Sequence, residues 1–169
     1  MSKSPFTLQP EYILNTCHLR QLRHNEANTV SQTLVQMLPW RTLGYSVDTL
    51  SNYLRRPEPS LYQHGIIVSQ QLVGAVCVRY PWLRGACLEL LAVYPSQQGK
   101  GLGCEVIHWL ETELCQKTNF RNLWTLVSSF NHEARQFYQK MGFVEVAQLD
   151  DLIMVGYAEM LLRKSLLDY

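Results

Sequence analysis

An apolar run that breaks into a glycine-rich loop constrains the fold of this chain more than any other feature. Residues 88–103 read LELLAVYPSQQGKGLG: the run ends at Pro95, and Gly99, Gly101 and Gly103 follow within five positions. A helical pattern begins directly after them. This order predicts a buried strand, a loop that can approach a ligand closely, and a helix N-terminus. Backbone N–H groups in such a place favour a phosphate ligand, and Lys100 adds a positive charge.

Length and composition limit what the rest of the chain can be. The 169 residues suffice for one well-buried domain over 1–169, with residues 1–11 as an N-terminal tail that is either loose or docked on the domain. A net charge of +1 gives no basis for a nucleic-acid partner. Five cysteines without a CxxC pair indicate a reducing, cytoplasmic setting. We expect no membrane span, because no window reaches roughly 18 apolar residues. We also expect no metal, because the histidines lack ligand spacing.

Hydrophobic periodicity predicts a mixed α/β fold. A strand over 16–23 precedes two helices, one capped by Asn25 and ended by Pro39, the other capped by Ser46. The predicted order then continues with strands over 61–69, 72–80 and 86–94, a helix from Leu102, a strand over 122–128, a helix from Ala134 to Met141, and strands over 143–146 and 155–162. We therefore expect an α/β (α+β) domain: a mixed, mostly antiparallel sheet of about seven strands flanked by about four helices.

Three kinds of phosphate-binding loop compete for residues 98–103. A Walker-type loop needs Ser or Thr after its lysine, whereas Gly101 follows Lys100. A dinucleotide loop needs G-x-G-x-x-G and an acidic residue about 20 positions later, and both are missing. The third pattern, Q/R-x-x-G-x-G/A, is met by Gln98, Gly101 and Gly103. By itself, this match is equally well explained by a tight turn between a strand and a helix.

A second segment favours the third pattern. Residues 131–143 read NHEARQFYQKMGF and match N-x-x-A-x-x-F-Y-x-K-x-G-F, one predicted helix and one predicted strand after the loop. With both segments, the chain resembles the GNAT-type N-acetyltransferase superfamily over about residues 60–165. The resemblance implies that strand 88–93 carries a bulge and splays from strand 123–127. It also implies acetyl transfer from acetyl-CoA directly to a primary amine of a small molecule or polypeptide. A non-catalytic acyl-CoA-binding regulatory domain is the alternative.

The resemblance also implies which residues hold the cofactor. Backbone groups of the strand would bind the pantetheine arm, and N–H groups of the loop would bind the diphosphate. Asn131 would contact the arm, cap the following helix, or do both. The expected cofactor-binding residues are Leu91, Ala92, Val93, Gln98, Gly99, Lys100, Gly101, Leu102, Gly103 and Asn131.

Two residues are candidates for the chemistry. By the resemblance, Tyr138 would be the general acid for the departing thiolate, since a phenol has a pKa near 10 and a thiol one near 8.5. It could instead belong only to the apolar stripe of its helix. Glu89 is the one charged residue in the run 86–93, on the face that alternation shares with Leu91 and Val93. It either takes the acceptor's proton or pairs with Arg79 or Arg84.

The acceptor is the least determined part of the prediction. Trp40 and Tyr45 lie on the connection between the first two helices. They either wall a substrate pocket or pack down on the sheet. The sequence leaves the identity of the amine, the acyl chain and the oligomeric state open, a homodimer included.

Overall fold

Helices cover both faces of a single sheet in the computed structural model, which describes residues 4–7 and 9–167. Its eight strands are β1 (Glu11–Ile13), β2 (His18–Gln21), β3 (Leu61–Val68), β4 (Gln71–Trp82), β5 (Gly85–Val93), β6 (Asn122–Ser128), β7 (Val144–Asp150) and β8 (Ala158–Ser165). The helices are α1 (Glu26–Leu34), α2 (Val47–Arg55), α3 (Leu102–Lys117) and α4 (His132–Lys140). The strand order is β1-β2-β3-β4-β5-β6-β8-β7. β5 and β6 run parallel, and every other strand pair described is antiparallel.

The predicted mixed, mostly antiparallel architecture is confirmed, with eight strands instead of about seven. The additional strand is β1, which pairs with β2 at the edge of the sheet. Of the two expectations for the N-terminal tail, the docked one holds at Phe6, which is completely buried. Its ring lies 5.5 Å from Trp109 and 5.7 Å from Tyr80, because an aromatic side chain gains stability by leaving water. Residues 1–3 and 8 of the predicted tail lie outside the described part.

The first helix is shorter than predicted. α1 ends at Leu34, and Met37 and Leu38 lie beyond it in turns. Asn25 precedes α1 but makes no side-chain capping bond, so that expectation is wrong. The Glu26 carboxylate accepts from the backbone N–H of Arg23, which precedes the helix, at 2.9 Å. The second helix follows the prediction, since the Ser46 side chain accepts from the N–H of Thr49 at 3.0 Å.

Some strands extend beyond their predicted ends. β4 runs through Pro81 to Trp82, so the turn into β5 consists of Leu83 and Arg84, both with positive φ. β7 is also longer than predicted, whereas β8 keeps the predicted length of eight residues, begins three residues later, and lies between β6 and β7. Within the described residues, no helix is long and apolar enough to cross a membrane.

Two hydrophobic cores lie on opposite faces of the sheet. α3 and α4 cover one face with side chains that include Val106, Leu110 and Tyr138. α1 and α2 cover the other face through residues such as Leu34 and Leu50. β5 contributes to both cores, so it is held from both sides as it leads into the glycine loop.

Candidate active site

The parallel strands β5 and β6 separate half-way along β5. They are paired only from Gly85 opposite Asn122 to Leu88 opposite Thr125. At this last pair the Thr125 hydroxyl donates to the Leu88 carbonyl at 2.9 Å. From Glu89 onward, no described strand pairs with the edge of β5 that faces β6. The splay implied by the resemblance is therefore present, and its apex lies at Leu88 and Thr125.

A bulge in β5 coincides with the start of the splay. Val78 of β4 is opposite Leu88, and the preceding Cys77 is opposite Leu90, so Glu89 has no partner on β4. One extra residue reverses the alternation of side chains. Leu88 and then Leu91 belong to the α3–α4 face, whereas Leu90 belongs to the α1–α2 face.

A cleft of about 780 Å³ extends from the apex of the splay to the glycine loop. Its walls come from β5, the loop, α3, α4 and the connection after α1. The residues from the sequence prediction that line it are Trp40, Leu91, Ala92, Val93, Gln98, Gly99, Gly101, Leu102, Gly103, Asn131 and Tyr138. Lys100 is not among the lining residues: it is exposed, and its ammonium donates to Gln97 Oε1 at 2.8 Å.

The glycine loop forms an open cradle at the start of α3. Gly99 and Gly101 have φ of +74° and +83°, and a Cβ at either position would meet nothing within 4 Å. Gly101 is the N-cap of α3 and supplies no side-chain cap, so the first N–H groups of the helix have no partner within it. Gln98 Nε2 donates to the Val93 carbonyl at 2.9 Å and ties the loop to β5. Unpartnered N–H groups and open space at the start of a helix favour an anion.

The third glycine has a different role. A Cβ on Gly103 would lie 3.1 Å from Cζ of Phe137, so the missing side chain lets α3 approach α4 closely. Asn131 begins α4, because its side chain accepts from the N–H of Ala134 at 3.3 Å. The predicted cap is therefore present, and Asn131 also lines the cleft. Together these contacts set the position of α4 beside the loop.

Tyr138 projects from α4 to the apex of the splay. Its side chain is 7% exposed and packs edge-on against Phe137 and Phe143 at 5.0 and 5.3 Å. Burial raises the pKa of the phenol to about 12, and a hydrogen bond with the Thr125 hydroxyl acts in the opposite direction. The hydroxyl thus remains protonated at neutral pH and can donate a hydrogen bond into the cleft.

Glu89 points away from Leu91 and Val93, because it is the bulged residue. Its carboxylate pairs with the Arg79 guanidinium and accepts a hydrogen bond of 2.8 Å from the Tyr53 hydroxyl of α2. Arg79 also binds Glu58. Of the two arginines considered from the sequence, the structure selects Arg79. The face expected from simple alternation was wrong, and the ion pair is the interpretation that the geometry favours.

Comparison with known proteins identifies the family. Residues 27–143 match the sequence model of the Acetyltransferase (GNAT) family. The chain belongs to the GNAT acetyltransferase family. It is therefore an acyltransferase, as the two sequence segments predicted. No curated protein is significantly similar in sequence to this GNAT acetyltransferase.

Solved structures share the fold of this GNAT acetyltransferase. An acetyltransferase from Thermus thermophilus has a TM-score of 0.71 at 21% identity, covering 89% of this chain and 97% of its own. Ard1 from Thermoplasma volcanium has a TM-score of 0.69 at 19% identity, with coverages of 91% and 100%. The spermidine/spermine N-acetyltransferase SpeG from Vibrio cholerae has a TM-score of 0.65 at 17% identity, with coverages of 89% and 93%. At these identities the likeness shows the fold alone.

The two aromatic candidates for the acceptor pocket separate in the structure. Trp40 lines the cleft. Tyr45 is half-buried and does not line the cleft. Burial raises the pKa of its phenol, and the nearby carboxylate of Glu159 on β8 raises it further. Sequence reasoning missed Glu159, a buried carboxylate. The available signal was a single charge inside the apolar run AEMLL, the same signal that drew attention to Glu89.

Proposed function

We propose that this chain is an N-acetyltransferase that moves an acetyl group from acetyl-CoA directly to a primary amine of a small molecule or polypeptide. One observation carries the proposal: a single cleft joins an anion-binding loop to a protonated phenol, Tyr138, at the point where β5 and β6 separate. A structural neighbour, SpeG, is named as acting on spermidine and spermine. That name is consistent with an amine as acceptor.

The cleft has the right parts, in the right order, for an elongated cofactor. Helix N–H groups and the cradle at Gly99 and Gly101 would bind the diphosphate. The edge of β5 from Leu91 to Val93 would pair with the amides of the pantetheine arm, as one strand pairs with another. Such a cofactor would place its thioester at the end of the cleft beside Tyr138.

Tyr138 would assist the departure of the thiolate. Acetyl-CoA supplies a thioester whose carbonyl carbon an amine can attack. Complete proton transfer from a phenol of pKa about 12 to a thiolate whose acid has a pKa near 8.5 is unfavourable by about 3.5 units, or ~4.8 kcal/mol. We therefore infer that Tyr138 donates a hydrogen bond to the sulfur as negative charge develops there.

Glu89 is poorly placed to act as the base. Arg79 and Tyr53 already bind its carboxylate, and protonating it would break an ion pair. An alkyl amine of pKa about 10.4 needs ~4.6 kcal/mol to lose its proton at pH 7, whereas an α-amino group of pKa about 8 needs ~1.4 kcal/mol. We infer that the acceptor amine loses its proton to water, and that Glu89 fixes the bulge.

Replacing the phenol tests the proposal. Tyr138→Phe should lower kcat by about 10²–10³-fold, with little change in KM for acetyl-CoA, because one donor to the sulfur is lost. The measurement is CoA release over a panel of amines, amino acids and peptides. Tyr62→Phe is the matched control, since it removes a hydroxyl that donates to the Pro59 carbonyl outside the cleft. An unchanged kcat for Tyr138→Phe would refute the acid role.

The same panel addresses the non-catalytic alternative. Wild-type protein that binds CoA tightly but releases none from acetyl-CoA with any amine would support a regulatory acyl-CoA-binding domain. Amine-dependent release, abolished by Tyr138→Phe, would exclude it. Calorimetry of CoA binding distinguishes a protein that cannot bind the cofactor from one that binds it but does not transfer the acetyl group.

A further inference from the structure

Beyond the apex of the splay, one side of β6 and β8 forms a surface that we call the acceptor face. The strand register places Trp124 opposite Arg163, Leu126 opposite Leu161, and Ser128 opposite Glu159. The intervening side chains, such as Leu123 and Leu162, point into the core beneath α3 and α4. The six residues of the acceptor face therefore point to the α1–α2 side of the sheet. They are Trp124, Leu126, Ser128, Glu159, Leu161 and Arg163.

Glu159 is a buried carboxylate at one end of the acceptor face. It is 3% exposed, and its hydrogen-bond partner Ser128 is 1% exposed. The Ser128 hydroxyl donates to Glu159 Oε1 at 2.7 Å. Among the described residues, no Lys, Arg or His forms an ion pair with Glu159.

The cation on this face is engaged elsewhere. The Arg163 guanidinium lies 5.7 Å from the centre of the Trp124 ring, and its Nε donates to Asn122 Oδ1 at 2.8 Å. Arg163 is four residues from Glu159 along β8, which corresponds to about 13 Å of an extended strand. It therefore cannot neutralise Glu159 without leaving both partners.

A buried carboxylate without a cation is unfavourable, because one hydroxyl replaces only part of its lost hydration. Burial raises the pKa of Glu159 above its ordinary value, and the hydrogen bond from Ser128 opposes that rise. The half-buried phenol of Tyr45 lies near enough for the carboxylate to raise its pKa. A positively charged ligand group at this end of the face would supply the missing partner.

The spacing along β6 indicates whether the positively charged group beside Glu159 is the reacting amine or a second group of the acceptor. Ser128 is three residues beyond Thr125, which contacts Tyr138, and three residues of a strand span about 10 Å. Glu159 is therefore too distant to take a proton from a nitrogen that reacts beside Tyr138. Half-buried Leu126 and Leu161 lie between the two points and offer an apolar surface to an alkyl chain.

We propose that Glu159 binds a second cationic group of the acceptor, so that the enzyme prefers diamines to monoamines of the same chain length. This proposal rests on the proposed N-acetyltransferase function. The reacting amine reaches Tyr138 through the gap between β5 and β6, the alkyl chain lies along Leu126 and Leu161 on the acceptor face, and the distal ammonium forms an ion pair with Glu159.

The test compares diaminopentane with aminopentane as acceptors. For wild type, kcat/KM should be higher for the diamine by roughly tenfold or more, the usual effect of a charged hydrogen bond. Glu159→Gln should remove the preference by raising KM for the diamine. The control is Glu145→Gln, an exposed carboxylate on β7 that pairs with Arg135. An equal ratio in wild type and Glu159→Gln would overturn the proposal.

Two further measurements keep the outcomes separate. If no amine releases CoA, the proposed function fails, and calorimetry of diaminopentane with the CoA-bound protein still decides this inference. Binding that Glu159→Gln abolishes supports it, and no binding by wild type overturns it. If Glu159→Gln does not fold, Glu159→Asp retains the charge but retracts it by one methylene. That variant should favour a longer diamine, and an unchanged chain-length preference would overturn the proposal.

Discussion

The most quantitative prediction concerns His64, a histidine buried on β3. It is 6% exposed and packs edge-on against Trp109 at 5.5 Å and Tyr12 at 5.9 Å. Burial lowers its pKa to about 4, and a hydrogen bond with the backbone of Phe6 acts in the opposite direction. Nδ1 has no hydrogen-bond partner among the described residues. The folded chain therefore holds a neutral imidazole in an aromatic cluster.

This lowered pKa makes folding stability depend on pH with a definite sign. The unfolded chain binds a proton at His64 below pH about 6.5, whereas the folded chain does so only below about 4. Above pH about 6.5, His64 is neutral in both states and does not lower the free energy of unfolding. As the pH falls from 6.5 towards 4, only the unfolded chain binds the proton, so the free energy of unfolding decreases. The shift of about 2.5 units corresponds to ~3.4 kcal/mol in total. Between pH about 7.5 and about 4.5, the expected loss is ~2.5 kcal/mol.

Urea unfolding, followed by tryptophan fluorescence at both pH values, measures this loss. Other groups also titrate in this range, so the informative quantity is the difference between wild type and His64→Gln, which cannot take up the proton. His64→Gln should lose ~2.5 kcal/mol less than wild type on acidification. His108→Gln, at an exposed position on α3, should behave like wild type. Equal losses in wild type and His64→Gln would refute the reasoning.

Two other predictions concern the candidate site. Gly101→Val should weaken CoA binding by tenfold or more, because it combines backbone strain at φ +83° with a side chain in the cradle. The control is Gly156→Val, which carries similar strain at φ +88° but lies outside the cleft. It should leave the CoA affinity measured by calorimetry unchanged. Equal affinity losses in both would contradict the cradle. Glu89→Gln should lower kcat modestly and leave the shape of the pH profile of kcat/KM unchanged, because Arg79 and Tyr53 already bind the carboxylate. Loss of the acidic limb of that profile would instead identify Glu89 as the base.

Local sequence signals predicted most of the fold and the glycine loop that leads into α3. Ser46 and Asn131 are caps in the structure because their capping bonds span only three residues, Ser46 to Thr49 and Asn131 to Ala134. The glycine loop has a backbone requirement that few other residues can meet. Asn25 does not cap α1 although it is a favoured capping residue, because its backbone is helical, with φ −73° and ψ −18°, whereas a capping residue is typically extended.

What the sequence could not predict depends on contacts between distant segments. Phe6 is buried by rings from β3, β4 and α3, none of which is visible in the pattern of the first eleven residues. β1 exists because its three residues pair with β2, and a segment that short has no periodicity to read. The resemblance implied a bulge in this strand but not its position; the structure places it at Glu89, and one residue of register decides which face a side chain occupies.

Glu89 and Glu159 show why register decides function here. Each is a single carboxylate within an apolar strand, so the sequence treats them alike. The bulge turns Glu89 towards Arg79, which leaves it a paired and structural charge. Regular pairing places Glu159 opposite Ser128, which supplies a hydroxyl but no positive charge. A carboxylate that already has its cation gains little from a ligand, whereas one that lacks it gains the whole ion pair. The acceptor's second charge is therefore expected at Glu159 and not at Glu89.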